Sequence, residues 1–261
     1  MRAGWTLGVV DDVGVTAPAR TLLRRLVLRP PRVVFGVTAG VLNCSFVLES
    51  LLPGPAHVGA TVVSDLSVPD RPWSWVFRVA DAGSALFVLL ICFALASRRA
   101  ASDDDGLQAS RTAWNVGWVA TTLYAASTLL AAVVAETCAP AFDPSCPDGI
   151  AVASVTDVVH DTISSVGSSS GVLACLAFAV ALRRTRRFCV LHGTAFAAAA
   201  LSGLLFVTLQ AGAQDGISGW VQRVQIVALS AWFVVLGMTA DQVRQAPPGV
   251  PAKTRHERMR P

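Results

Sequence analysis

The sequence predicts an all-α, polytopic membrane protein, a bundle of six transmembrane helices with both termini in the cytoplasm. Charge is scarce: 15% of the 261 residues are charged and 53% are hydrophobic, against about 25% charged in an ordinary soluble domain. The apolar residues gather into six runs, each near the ~20 residues that cross ~30 Å of hydrocarbon. The basic residues fall almost wholly on alternate connections, which fixes an orientation.

Residues 1–32 read as a basic cytoplasmic tail without the apolar core and cleavage site of a signal peptide. The membrane domain covers residues 33–240, with spans at Val33–Leu52, Val76–Ser97, Thr112–Glu136, Val155–Leu182, Phe188–Gln210 and Trp220–Ala240. Helices are expected because every backbone polar group must be satisfied within lipid, and the alternating ~10-residue segments of a barrel are missing. Residues 241–261 form a second cytoplasmic tail. Eighteen of the 21 lysines and arginines lie in the two tails and in the second-to-third and fourth-to-fifth connections, leaving Arg71, Arg78 and Arg223 for the other side. The net charge of +4 therefore hides a basic inner face, suited to anionic headgroups, and an acidic outer one. Nucleic acid is not an expected partner.

The connection from Pro53 to Trp75 is the longest. It carries four prolines and ends in Trp73-Ser-Trp75-Val-Phe77-Arg78, where tryptophans anchor at headgroup depth. It is read as a surface loop, with a lid over a pocket as the alternative, and Ser64-Asp65-Leu66 begins a short amphipathic segment. The tract Ser102–Gly106, with three aspartates, resembles the Asp-rich motif of isoprenyl-diphosphate enzymes but reads as a solvated turn. Gly36/Gly40 and Gly167/Gly171 have the spacing that lets helices approach closely, within the bundle rather than between copies.

Cys44, Cys92, Cys175 and Cys189 lie in apolar runs, where cysteine behaves as a small hydrophobe. Cys138 and Cys146 share an outer loop and are expected to form a disulfide in an oxidising compartment; two free thiols are the alternative. Zinc at that pair would need ligands the loop does not offer.

Ionisable groups within spans are functional suspects. In the fourth run Asp157, His160, Asp161, Ser164 and Ser168 share one helical face, extended by Gly171. His160 with Asp161 or Asp157 has the composition of an acid–base pair; the alternative is that Asp157 and Ser154 cap the helix and His160 packs in an interface. Glu49, Arg78, Asp81, Glu136, Gln210 and Arg223 add polar groups at similar depth. His160, Asp161, Asp81 and Glu49 are the catalytic candidates, while Asp157, Ser164, Ser168, Arg78, Arg223 and Gln210 are the ligand-binding candidates. Arg223 needs a partner, with Asp81, Glu49 and Asp161 as candidates. No metal and no cofactor are expected: His160 and His192 lie too far apart to share an ion, and His57 with His160 gives only two histidines. Ser64 or Ser164 as a nucleophile lacks a flanking signature.

The Val63-Ser-Asp-Leu66 segment, the stretch Trp73 to Asp81 leading into the second run, the Cys138-Ala-Pro…Cys146 loop and His160-Asp161 together resemble a bacterial six-span family catalogued as domain of unknown function, family 998. The resemblance covers about Val33 to Ala240. The family is distantly similar to six-span proteins of the DRAM and Sfk type, linked with lipid handling and membrane organisation, and it implies no catalytic residues. The expectation is a cell-membrane protein, leaning to non-enzymatic, that binds a lipid or amphipathic ligand from its outer side or assists an envelope protein. An intramembrane enzyme acting on a lipid or isoprenoid, such as an acid-initiated terpene cyclase, is the alternative. A small transporter is third, weakened by the lack of an internal repeat or broken helix pair.

Overall fold

A computed structural model describes residues 32–52, 62–96, 108–139, 143, 146, 154–182, 191–212 and 218–245. All belong to one compact unit, Arg32–Pro261. The Ser102–Gly106 tract, His57 and Cys189 lie outside the described residues, as do most residues of the two tails. Among the described residues there are helices and no strands. Six α-helices follow one another: α1 Arg32–Asn43, α2 Ser74–Ala96, α3 Gln108–Val133, α4 Val155–Leu182, α5 Leu191–Gly212 and α6 Ser218–Gln245, with 3-10 segments at Ser45–Ser50 and Val63–Ser67. Four helices are long and apolar enough to cross a membrane, and Arg32–Asn43 and Gly193–Leu205 are shorter apolar helices.

The first span differs from the continuous helix expected over Val33–Leu52. Its α-helix ends at Asn43 and resumes as the 3-10 segment, so one broken helix is present where none was expected. The break has a polar cause. Asn43 Nδ2 donates to Ser230 Oγ at 2.9 Å and to the Ile226 carbonyl at 3.3 Å, holding the side chain across to α6.

Each helix packs against the next, and α6 packs back on α1. The pairs run antiparallel. Gly36 lies against Phe233 and Gly40 against Ser230; Ser84 Oγ on α2 donates to the Ala39 carbonyl on α1; Trp118 Nε1 on α3 donates to the Cys92 carbonyl on α2. In α4, Gly167 faces Ser127 and Gly171 faces Tyr124 of α3. Both glycine pairs therefore serve contacts inside the chain, where small residues let backbones approach without help from the hydrophobic effect. A methyl at Gly36 would run into the Phe233 carbonyl oxygen.

One half of the bundle is filled by aromatics. Trp232, Phe178, Phe196 and Phe233 are fully buried. Trp114 meets Phe178 edge-on with centroids 5.1 Å apart, Phe178 and Phe196 both contact Trp232, and Tyr124 meets Phe233 at 5.6 Å. This cluster ties α3, α4, α5 and α6 together and forms the floor beneath the polar end.

Candidate functional site

The polar end is the one at which α1, α3 and α5 finish. Because the helices alternate in direction, the Ser45–Ser50 and Val63–Ser67 segments and the α3–α4 connection meet there. Cys138 and Cys146 form a disulfide in that connection, with Cα atoms 5.9 Å apart. The Asp143 carboxylate lies within 4.8 Å of both sulfurs, so the loop does supply a third candidate ligand, an oxygen. Disulfide sulfurs are not thiolates, however, and do not form a zinc site.

Part of the connection expected to be a surface loop is buried, while Pro69, Asp70, Pro72 and Trp73 are exposed. Asp65, Leu66, Ser67 and Val68 are all 6% exposed or less. The Val63 backbone N–H donates to Gln222 Oε1 on α6, which fixes this 3-10 turn over the bundle. The lid was thus the better of the two readings. Trp73, at φ 70°, turns the chain into α2 through a conformation unfavourable for a non-glycine residue.

Under the lid is a cavity of about 130 Å³. Val63, Ser64 and Ser67 roof it; α1 gives Asn43, α2 gives Asp81, and α3 gives Tyr124, Ser127 and Thr128. From α4 come His160, Ser164, Gly167 and Ser168, and from α6 Gln222, Gln225, Ile226 and Leu229. Of the residues singled out in the sequence, Asp81, His160, Ser164 and Ser168 come together here. The helical face read in α4 therefore does turn inward over most of its length.

The remaining candidates are employed elsewhere. Asp161 is exposed and does not line the cavity, because the α4 face is narrower than the spacing alone indicated. Asp157 caps α4: its carboxylate accepts from the Ser154 hydroxyl at 2.7 Å and from the Thr137 backbone N–H and hydroxyl. Arg78 donates from Nε to the Ala132 carbonyl at 2.8 Å and from Nη2 to the Val133 carbonyl, satisfying the carbonyls left free at the end of α3. Arg223 pairs with Glu49 at 2.7 Å, both 9% exposed or less. Arg223 also donates to the Gly219 carbonyl at 3.0 Å and lies over the Phe46 ring. Gln210 lies in α5, and its side chain is outside those described.

His160 is 4% exposed, and its neighbour is neither of the aspartates expected. Nδ1 faces the Val134 carbonyl and Nε2 lies 3.3 Å from Glu136 Oε1. A carbonyl only accepts, so Nδ1 carries the hydrogen and Nε2 is the atom turned to Glu136. Glu136 stands just past the end of α3. Burial raises its pKa to about 7; a hydrogen bond from Ser64 opposes the shift, and the negative charges of Asp161 and Asp157 add to it. Asp65 is also raised to about 7, first by burial and then by Glu136, with Val62, Arg71 and Arg223 opposing. Lid, carboxylates and imidazole thus meet at the mouth of the cavity.

The family model described as "Protein of unknown function (DUF998)" matches residues 36–239. The chain belongs to that family. No curated protein and no solved structure matches it. The matched range runs from Gly36, at the contact of α1 with α6, to Thr239 near the end of α6. In this DUF998 chain it therefore includes every residue of the cavity wall.

Sequence reasoning missed Asn43, Tyr124, Gln222 and Gln225 at this site. Two signals were available. Asn43 is an amide within an apolar run, and Gln222 and Gln225 stand at i and i+3 on one face. Arg223, between the two glutamines, drew attention to the neighbouring face.

Proposed function

We propose that this is a six-span membrane protein with both tails in the cytoplasm, which takes the polar head of a lipid or other amphipathic ligand into the cavity from its outer face and does not transform it. The observation that carries the reading is a roofed cavity whose mixed wall carries hydroxyls, amides, a carboxylate and an imidazole inside an otherwise apolar bundle. Polar groups facing such a cavity need partners, and an amphipathic molecule can supply them while leaving its chains in the membrane.

Two lengths support six spans. The 12 residues of α1 rise ~1.5 Å each and the six of the following 3-10 segment ~2.0 Å each, which together reach ~30 Å. The 22 residues of α5 reach ~33 Å. Both match the hydrocarbon thickness. The positive-inside rule then puts the basic tails in the cytoplasm and the disulfide end outside.

Size favours a headgroup over the cyclase substrate. Ordinary small-molecule pockets begin near ~300 Å³; about 130 Å³ suits a headgroup better than a folded isoprenoid chain. The His160–Glu136 pair favours acid–base chemistry on a lipid head as a second reading, which turnover abolished by His160→Ala would establish.

The test is native mass spectrometry of the purified protein beside Ser168→Trp, which fills the cavity. Wild type retains lipid that the variant loses, with helical content unchanged. Equal retention refutes the binding site. Cysteines placed in either tail react with an impermeant maleimide only after permeabilisation; labelling in intact cells refutes the orientation.

A further inference from the structure

The cavity has a charge pattern that narrows the chemistry of what it holds. Asp81 is the eighth residue of α2, so it sits ~10 Å along the helix axis from Ser74, within the bundle. Among the described residues it has no ion-pair partner, whereas three other carboxylates of this end are engaged: Glu49 by Arg223, Glu136 by His160, and Asp157 by Ser154 and Thr137. Among the described residues, lysine and arginine are missing from the lining. His160 Nε2 is turned to Glu136 at 3.3 Å.

The wall also carries neutral hydroxyls and amides. Tyr124, Ser127, Thr128, Ser164 and Ser168 bring hydroxyls to the wall. Gln225 is 3% exposed, and its Nε2 is buried beside Gly203 of α5 with no hydrogen-bond partner among the described residues, an unmet donor at the edge of the wall.

An entering phosphate would meet Asp81 with no cation on the wall to offset the repulsion. A quaternary ammonium is held by several aromatic faces, and among the described residues of the lining Tyr124 is the one Phe, Tyr or Trp. A primary ammonium fits on both counts. It carries one positive charge and three donors, for one carboxylate and a set of hydroxyl acceptors. An aminoethyl group is small enough for about 130 Å³, and the oxygen two carbons from its nitrogen is an acceptor for the Gln225 amide.

We propose that the cavity is a binding site for a primary ammonium group, with the Asp81 carboxylate as its counter-charge. This rests on the reading that a ligand head enters under the lid. The ammonium belongs either to an ethanolamine lipid headgroup or to a free amine.

The experiment titrates delipidated full-length protein in detergent with phosphatidylethanolamine, phosphatidylcholine and phosphatidylglycerol, read by native mass spectrometry. Phosphatidylethanolamine binds about tenfold or more tighter than the other two, and Asp81→Asn abolishes the preference. Free ethanolamine is the second arm. Displacement of the lipid by ethanolamine marks the headgroup amine as the recognised element; ethanolamine binding without a lipid preference marks a soluble amine as the source. Both support the site. In wild type, which removes any folding defect of the variant, dicyclohexylcarbodiimide labels Asp81, and ethanolamine or its lipid protects it. Absence of protection, equal binding of the three lipids with no ethanolamine binding, or a preference that survives Asp81→Asn overturns the proposal. Lipid that is lost in Ser168→Trp yet shows no amine dependence overturns this inference alone; lipid retained in Ser168→Trp overturns the headgroup reading with it.

Discussion

Replacing Arg223 by methionine tests how the polar end is held together. Arg223 Nη2 and Glu49 Oε2 are 2.7 Å apart, with relative exposures of 4% and 9%. Removing one partner of a buried pair strands the other charge, at a cost of about 3–5 kcal/mol. The two directions are not equivalent. Without Arg223, Glu49 loses the partner of Oε2 while Oε1 already has no hydrogen bond. Without the Glu49 charge, Arg223 still donates to the Gly219 carbonyl and still lies over Phe46, and glutamine at position 49 keeps an acceptor. Arg223→Met is therefore expected to cost about 3–5 kcal/mol and Glu49→Gln about 1–3 kcal/mol. The double variant Glu49→Leu/Arg223→Met, which strands no charge, regains most of the loss. Reversible unfolding in mixed micelles, arranged as a double-mutant cycle, measures all three. Equal costs for the single variants, or a double variant as unstable as Arg223→Met, would refute the reasoning.

Acid should stabilise the lid. Asp65 and Glu136 have folded pKa values of about 7, above the ~4 of an unfolded carboxyl. Between these values the folded state binds more protons, so stability falls as pH rises from about 4 to about 7 and levels off above; thermal unfolding across that range shows a shallower fall in Asp65→Asn, and a rising curve contradicts the assignment. The glycine contacts predict opposite outcomes at two sites. Gly36→Ala meets the Phe233 carbonyl and costs about 1–3 kcal/mol, while Gly193→Ala, with nothing within 4 Å, gains up to about 1 kcal/mol. Loss of the Cys138–Cys146 bond, which closes a separation of eight residues, is expected to cost about 2.5 kcal/mol on loop entropy; non-reducing digestion should yield the cross-linked peptide, and free thiols at both positions would contradict it.

The sequence by itself determined the class of the protein. Long apolar runs with scarce charge can bury themselves only in lipid, and lipid admits only helices or closed barrels; α2, α3, α4 and α6 follow from local composition alone. The capping role of Asp157 was legible for the same reason, since a cap acts within three residues of its own chain. The inward turn of His160, Ser164 and Ser168 was legible because helical period fixes which residues share a face.

Only the tertiary structure decided what that face meets. The break after Asn43 depends on Ser230 and Ile226, nearly the whole chain away. The partner of His160 is Glu136 rather than either aspartate on its own helix, because adjacent side chains on a helix surface diverge while neighbouring helices bring groups together. The choice of Glu49 for Arg223, and the isolation of Asp81 beneath a buried lid, arise in the same way. Periodicity specifies the direction of a side chain relative to its own helix; the packing of the other five determines whether it finds a charge, a carbonyl or an empty space.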